Sequence, residues 1–285
     1  LAVGSYSFWW ISPAVSSSEY RISGGDAVLE LGQFVLSWME SLLLPFTRVT
    51  AFFLTAPLFT QIAGSTRIRL IYAAALCVLM LPAMPTSTSA PQLPFGEPNL
   101  LTLLSEALIG VSIGLVLQFV SAAVVLAGEQ ISMSVGIGFA QSFDPSIGST
   151  PVLSQFLNLI ALLIFITADG HTVIISMMTE SIRILPPGSF SLLDVQAWLD
   201  FSSIIFRGAA LLAAPLLLAL LAVNIGVGAL SRATPSLNVF AVGFAVSLIV
   251  GFALLFVLMP VIGERMTELW GLAESYIRAR LLGQG

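Results

Sequence analysis

The chain has 285 residues, of which 57% are hydrophobic and only 9% charged, with a mean hydropathy of +1.01. Soluble domains carry roughly 25% charged residues, so the composition excludes an ordinary water-soluble domain and marks an integral membrane protein. All ten basic residues are arginine, the net charge is -5 and no basic cluster exists, which excludes a nucleic-acid partner. Cys77 stands alone in an apolar run, which excludes a disulfide framework and a thiolate metal site.

Residues 1–33 have no basic n-region and only a short apolar stretch at 8–11, so they do not fit a signal peptide. Serines 16–18 and Gly24-Gly25 mark a flexible extension of low expected order. The first long apolar run, 34–59, is interrupted by Glu40, Pro45 and Arg48; about 20 apolar residues suffice to cross a bilayer. Arg48 lies near its middle. An unpaired charge there costs at least ~2.5 kcal/mol, so its side chain is expected to face protein. The polar loop 61–69 carries Arg67 and Arg69 and is expected on the cytoplasmic side. A second run, 70–85, leads to a Pro/Ser/Thr-rich linker at 85–98 on the opposite side.

The third run, 100–127, places Glu106, Gly110, Gly114 and Gln118 four residues apart along one helix face. Small residues at that spacing let another helix approach closely. A neighbouring subunit is the expected occupant here and at Gly226/Gly228. Glu106 and Glu129 sit at opposite ends of the run, where each can be interfacial.

Between 128 and 152 the apolar pattern breaks. Gly136 and Gly138 interrupt a helix, Asp144-Pro145 starts a turn, and Gly148 and Pro151 keep the backbone irregular. Irregular backbone at membrane depth is tolerated only where protein buries it or a water-filled cavity faces it. The segment therefore suits cavity lining or a plug, the plain alternative being a connecting loop in water. Phe139, Phe143, Pro145, Ile147 and Pro151 give a compact apolar body, serines let it tolerate water, and glycines supply hinges.

Runs at 152–168 and 172–185 follow, separated or kinked at Asp169-Gly170-His171. A polar linker is expected at 189–200, then a run at 202–223 carrying Arg207 and Pro215. Residues 224–238 form a second irregular polar segment with Arg232, Pro235 and Asn238. The Arg232 guanidinium is expected to meet carbonyl or carboxylate acceptors at the turn of a hairpin, or else to act only as an orientation signal. The last long run is 239–261. Beyond it, 263–282 is amphipathic, with Met266, Leu269, Trp270, Ala273, Ile277 and Leu281 on an apolar stripe and Arg265, Arg278 and Arg280 outside it.

Catalytic signatures are missing. His171 is the only histidine, no lysine is present for a phosphate loop, and neither Gly-x-Ser-x-Gly nor His-Glu-x-x-His occurs. Asp144 and Asp169 form a conceivable carboxylate dyad, but one precedes proline and the other a helix-end glycine. No enzyme activity, metal or cofactor is expected. Polar punctuation inside apolar helices suits a conduit or transporter built from broken helices. Two readings stay open: an export channel component, or a secondary transporter using Glu106, Asp169 or Arg232.

Five stretches in order resemble the FliR family of flagellar biosynthesis proteins and its injectisome counterparts. They are RIRLIYAAALCVLMLP (67–82), EALIGVSIGL (106–115), AGEQISMSVGIGFAQSFDPSIGSTPVLSQF (127–156), FITADGHTVIISMMTESIRILPPG (165–188) and GVGALSRATPSLNVFAVGF (226–244). Asp169-Gly170-His171 and Arg232-Ala233-Thr234-Pro235 favour the flagellar branch. The family's Gly-Phe-Pro-Leu reads Gly243-Phe244-Ala245-Val246 here. The resemblance implies an all-α integral membrane protein of helical hairpins with broken helices. A FliP-like portion at about 34–186 would precede a FliQ-like hairpin at about 200–263 and an amphipathic helix at 264–285. It also implies a single-copy structural subunit of an inner-membrane export gate, assembled with FliP-like and FliQ-like chains and an FlhB-like subunit. Unfolded flagellar subunits would pass through its centre, and the loop matching 139–156 would plug the pore.

Overall fold

The computed structural model describes residues 32, 42–57, 65–80, 100–137, 151–185, 195–233 and 239–283. The chain divides into two units, Leu1–Ser41 and Leu42–Gly285. Of the first only Gly32 is described, so the expected flexible extension lies outside the described residues. So do Phe139, Phe143, Asp144, Pro145 and Gly148 of the expected plug, and Pro235 and Asn238.

Apolar runs without water must satisfy every backbone N–H and C=O internally, and a helix does so within one segment. Among the described residues there are helices and no strand. They are α1 (Leu42–Thr55), α2 (Thr66–Met80), α3 (Leu100–Val135), α4 (Val152–Thr167), α5 (Gly170–Ile184), α6 (Val195–Ser202), α7 (Ile204–Ala233) and α8 (Val239–Tyr276). A short π-helical segment, Ile277–Leu281, closes the fold.

Helix α3 is the centre. Its most apolar window is 61% buried, against 22% for the windows in α7 and α8. All three are long and apolar enough to cross a membrane, and α4 with α5 counts as a fourth crossing bent by 69°. At 36 residues, α3 is about 54 Å long at ~1.5 Å per residue, well beyond a hydrocarbon core of about 30 Å. Helices α4 and α7 pack along it. Ser121 Oγ donates to Asn158 Oδ1 at 3.0 Å, and Gly128 lets α4 approach so closely that a Cβ there would lie 2.5 Å from the Ser154 Cα.

Several boundaries differ from those expected. The polar stretch 224–233 is helical and belongs to α7, because Ser247 Oγ of α8 donates to Asn224 Oδ1 at 2.8 Å and satisfies the amide between helices. Residues 66–69 belong to α2, and 195–200 form most of α6, a short helix where a linker was expected. Trp198 of α6 packs edge-on to Phe119 of α3 at 6.4 Å, an anchor that a local polarity count overlooks. Residues 152–156 are the first turn of α4 rather than loop. Finally, α8 runs unbroken through Ala245, Pro260 and Gly263 into the amphipathic stretch. No boundary falls at 263/264, since membrane helices tolerate glycine and proline where neighbours re-satisfy the backbone. The stripe of Met266, Leu269, Ala273, Ile277 and Leu281 is buried in the chain's own core. Trp270 meets Phe165 at 4.7 Å, and Tyr276 stacks on Phe201 at 4.2 Å.

Candidate functional site

Two lone charges in apolar runs find each other. Arg48 of α1 and Glu106 of α3 are each 1% exposed. Arg48 Nε donates to Glu106 Oε2 at 2.7 Å, and Nη2 donates to Oε1 at 2.9 Å. This is the parallel fork that makes arginine–carboxylate pairs strong and directional. Arginine also supplies donors a lysine lacks. Nη1 reaches Ser181 Oγ at 3.3 Å, and Nη2 reaches the Leu185 carbonyl at 3.1 Å. Leu185 caps the C-terminal end of α5, where carbonyls lack intrahelical donors and carry the negative end of the helix dipole. One guanidinium thus ties α1, α3 and the end of α5 together inside an apolar core.

Close packing supports the clamp. One turn beyond Glu106, a Cβ at Gly110 would fall on the Arg48 carbonyl oxygen, and one at Gly114 on Thr55 Oγ1. The expectation that this glycine face receives a neighbouring subunit is therefore corrected: the chain's own α1 occupies it. Glu106 is likewise not interfacial, since it lies enclosed in the second turn of α3 with Arg48 as its counterion. Gln118, placed on the same face by its spacing, is exposed. Steps of four residues overshoot a turn of about 3.6 residues by roughly 40° each, so by the third step the stripe has rotated away from α1. Gly226, by contrast, has nothing within 4 Å of an added Cβ.

A second feature is the break between α4 and α5. Asp169 holds φ 56°, a left-handed conformation uncommon for a side-chain-bearing residue. The next residue, Gly170, faces the Phe165 ring so closely that a Cβ there would overlap it. Asp169 and His171 are exposed, and the Asp169 side chain makes no capping bond. The sequence left open whether this stretch kinks one helix or separates two; a two-residue break with a 69° bend answers it.

Residues 39–273 match the sequence family described as bacterial export proteins, family 1. Flagellar biosynthetic protein FliR of Pectobacterium carotovorum subsp. carotovorum is 34% identical over 232 residues, covering 80% of this chain and 87% of that one. The chain belongs to the FliR family of bacterial export proteins. Flagellar biosynthetic protein FliR of Escherichia coli (strain K12) is 35% identical over 231 residues, with the same two coverages. That of Aquifex aeolicus (strain VF5) is 34% identical over 233 residues, 81% of this chain and 90% of the relative.

In this FliR-family chain the other expected positions are dispersed. Glu129 is half-buried on α3, and Pro151 is buried at the N-cap of α4. Arg232 is exposed in the last turn of α7, where a cation complements the carbonyl end of the helix. Glu106 is enclosed with Arg48 whereas Asp169 and Arg232 are exposed, so the three do not share one polar environment. Among the described residues no three acidic, histidine or cysteine side chains converge as a metal would require. The Arg48–Glu106 pairing and the roles of Ser181 and Leu185 escaped the sequence reading. The signal for the pair was present: two isolated opposite charges, each too costly alone. A second cross-link was equally unforeseen. Arg278 joins Glu180 of α5 at 2.9 Å and Glu274 at 3.1 Å, all partly exposed.

Proposed function

We propose that the chain is a structural subunit of the flagellar protein-export gate in the bacterial inner membrane, lining the conduit for unfolded flagellar subunits. Its relatives are named flagellar biosynthetic proteins, and its helices suit a membrane-embedded scaffold. In this reading it stands as one copy beside FliP-like and FliQ-like chains and an FlhB-like subunit. Residues 34–186 play the FliP-like part and the hairpin beginning near 200 the FliQ-like part, its second helix continuing past 263 into the amphipathic stretch, and 1–33 remain an extension.

The observation that carries most weight is the α3–α4 hairpin. Gly128 against Ser154 and Ser121 against Asn158 hold the two helices side by side, with 138–150 joining them at one end. Gly136, at φ 98°, ends α3 with a left-handed residue, and buried Pro151 opens α4. A segment that leaves and returns on two tightly packed stems can be displaced without disturbing them, which is what a plug requires. The transporter reading draws less support, because Glu106 is committed to Arg48 and is closed to a solute.

Removing residues 144–151 and bridging the gap with Gly-Ser tests the plug. Cells producing the shortened gate are expected to admit a small dye or halide while still exporting flagellar subunits. An intact, assembled gate that shows no added leak would refute the plug, and loss of export without leak would favour a transporter.

A further inference from the structure

We propose that Phe244 of α8 is a positioning residue for the end of α3: its ring wedges against the left-handed Gly136 and so sets the point at which the chain leaves that helix. The C-terminal hairpin thereby holds the hinge of the segment that follows Gly136.

Local geometry is the first argument. Gly136 holds φ 98°, and its N–H donates to the Ser132 and Met133 carbonyls at 3.1 and 3.2 Å, closing the last turn of α3. A Cβ at Gly136 would lie 2.8 Å from Cε2 and 3.0 Å from Cδ2 of Phe244. One edge of the ring thus stands where a side chain would be, and only a glycine leaves that space. Glycine takes either sign of φ at little cost, so its surroundings decide which it adopts. The ring edge is the side chain that stands against it.

Register is the second argument. Phe244 and Gly251 are seven residues apart on α8, two turns, and share one face of that helix. A Cβ at Gly251 would lie 2.7 Å from Cγ2 of Val135, the residue before Gly136, and Val135 is buried. Helix α8 therefore grips the end of α3 at two levels: a notch receives Val135 and a wedge meets Gly136. Ser247, between them on the same face, donates to Asn224 of α7. A Cβ at Gly243 would lie 3.3 Å from Val227 Cγ1, so α7 and α8 also sit close together where Phe244 begins its work. The two helices are tied to each other, and a shift of the pair is carried to Gly136 through Phe244.

Exposure is the third argument. Gly251 and Val135 are enclosed and act as the fixed point, whereas Phe244 is 46% exposed. Its ring touches the hinge along one edge and faces outward with the rest, so a load on the outer side of α8 reaches Gly136. The consequence for leakage rests on the plug reading; the α3–α8 contact does not.

The test uses the full chain in a neutral detergent, with amide hydrogen exchange followed at 133–137 and at 116–127 in the middle of α3. Phe244→Ala is expected to speed exchange at 133–137 about fivefold, the effect of losing roughly half of a buried phenyl side chain, and to leave 116–127 unchanged. Phe256→Ala removes an exposed ring from the same helix, about 18 Å further along at ~1.5 Å per residue, and should alter neither stretch. Melting supplies a second measurement. Gly136→Ala should lower the melting temperature by roughly 2–4 °C less in the Phe244→Ala background than in the parent, because the ring is then gone and only the disfavoured φ remains. Parent-like exchange at 133–137 in Phe244→Ala, a rise shared equally by 116–127, or additive melting shifts would each overturn the proposal. In cells, gates carrying Phe244→Ala are expected to admit a small dye while still exporting. Faster exchange at 133–137 without that leak would support the wedge and count against the plug, so the two readings fail separately.

Discussion

Glu106→Gln isolates the buried clamp with almost no change of shape. Two unit charges about 4 Å apart attract by ~4 kcal/mol at an effective dielectric near 20. With both side chains 2% exposed, water screens this pair little. Neutralising one member leaves the Arg48 guanidinium enclosed without a counterion, and breaking buried pairs in this way costs about 3–5 kcal/mol. The Ser181 and Leu185 acceptors remain, so the lower half of that range is expected. Replacing both members, as Arg48→Met with Glu106→Leu, removes the buried charge altogether and should fall within about 2 kcal/mol of the parent. Unfolding in mixed micelles, read by loss of helicity with rising anionic detergent, supplies all corners of the cycle. A Glu106→Gln penalty below ~1 kcal/mol would refute the clamp, as would a double variant costing the sum of its singles. Arg48→Lys should be intermediate, because an ammonium keeps the charge and loses the fork.

Gly110→Ala should destabilise by about 1–3 kcal/mol through overpacking, because the added methyl meets the Arg48 backbone carbonyl, which cannot rotate away. Gly114→Ala meets a side-chain oxygen instead, so Thr55→Ala should relieve part of its penalty while leaving that of Gly110→Ala untouched; melting of the single variants and of each glycine variant combined with Thr55→Ala checks both. At the α4–α5 break, Asp169→Gly should hold or raise stability, whereas Asp169→Val should lower it by roughly 1–2 kcal/mol, since β-branched residues resist positive φ. A valine variant melting with the parent would show that the left-handed residue relaxes freely.

Composition and hydropathy were enough to see an integral membrane protein, the resemblance supplied its all-α architecture, and the long apolar runs marked where most of its helices lie. Helix length was not. Asn224 to Ala233 looked irregular because its polar and glycine content was weighed locally, while the Ser247 hydroxyl that satisfies Asn224 lies 23 residues on. The same limit governed the site. The cost of burying Arg48 was legible from its apolar flanks, but its counterion sits 58 residues away and its carbonyl acceptor 137 away. The glycine spacing at 110 and 114 announced a close helix contact. It could not say whose helix, because a spacing pattern describes one surface and not the surface that meets it.

The clamp also imposes a timetable on synthesis. Arg48 is made 58 residues before Glu106, a wait of about 3–12 s at ~5–20 residues per second. The Leu185 carbonyl follows 137 residues after Arg48, roughly 7–27 s at the same pace. During that interval an unpartnered guanidinium opposes entry of α1 into hydrocarbon by ~2.5–3.5 kcal/mol. Helix α1 is therefore expected to settle late, waiting at the interface or with the insertion machinery until α3 brings a carboxylate. Nascent chains stalled shortly before and well after residue 106 should show this as a change in lipid crosslinking at α1. Crosslinking that is complete in the shorter chain would mean that α1 inserts unaided.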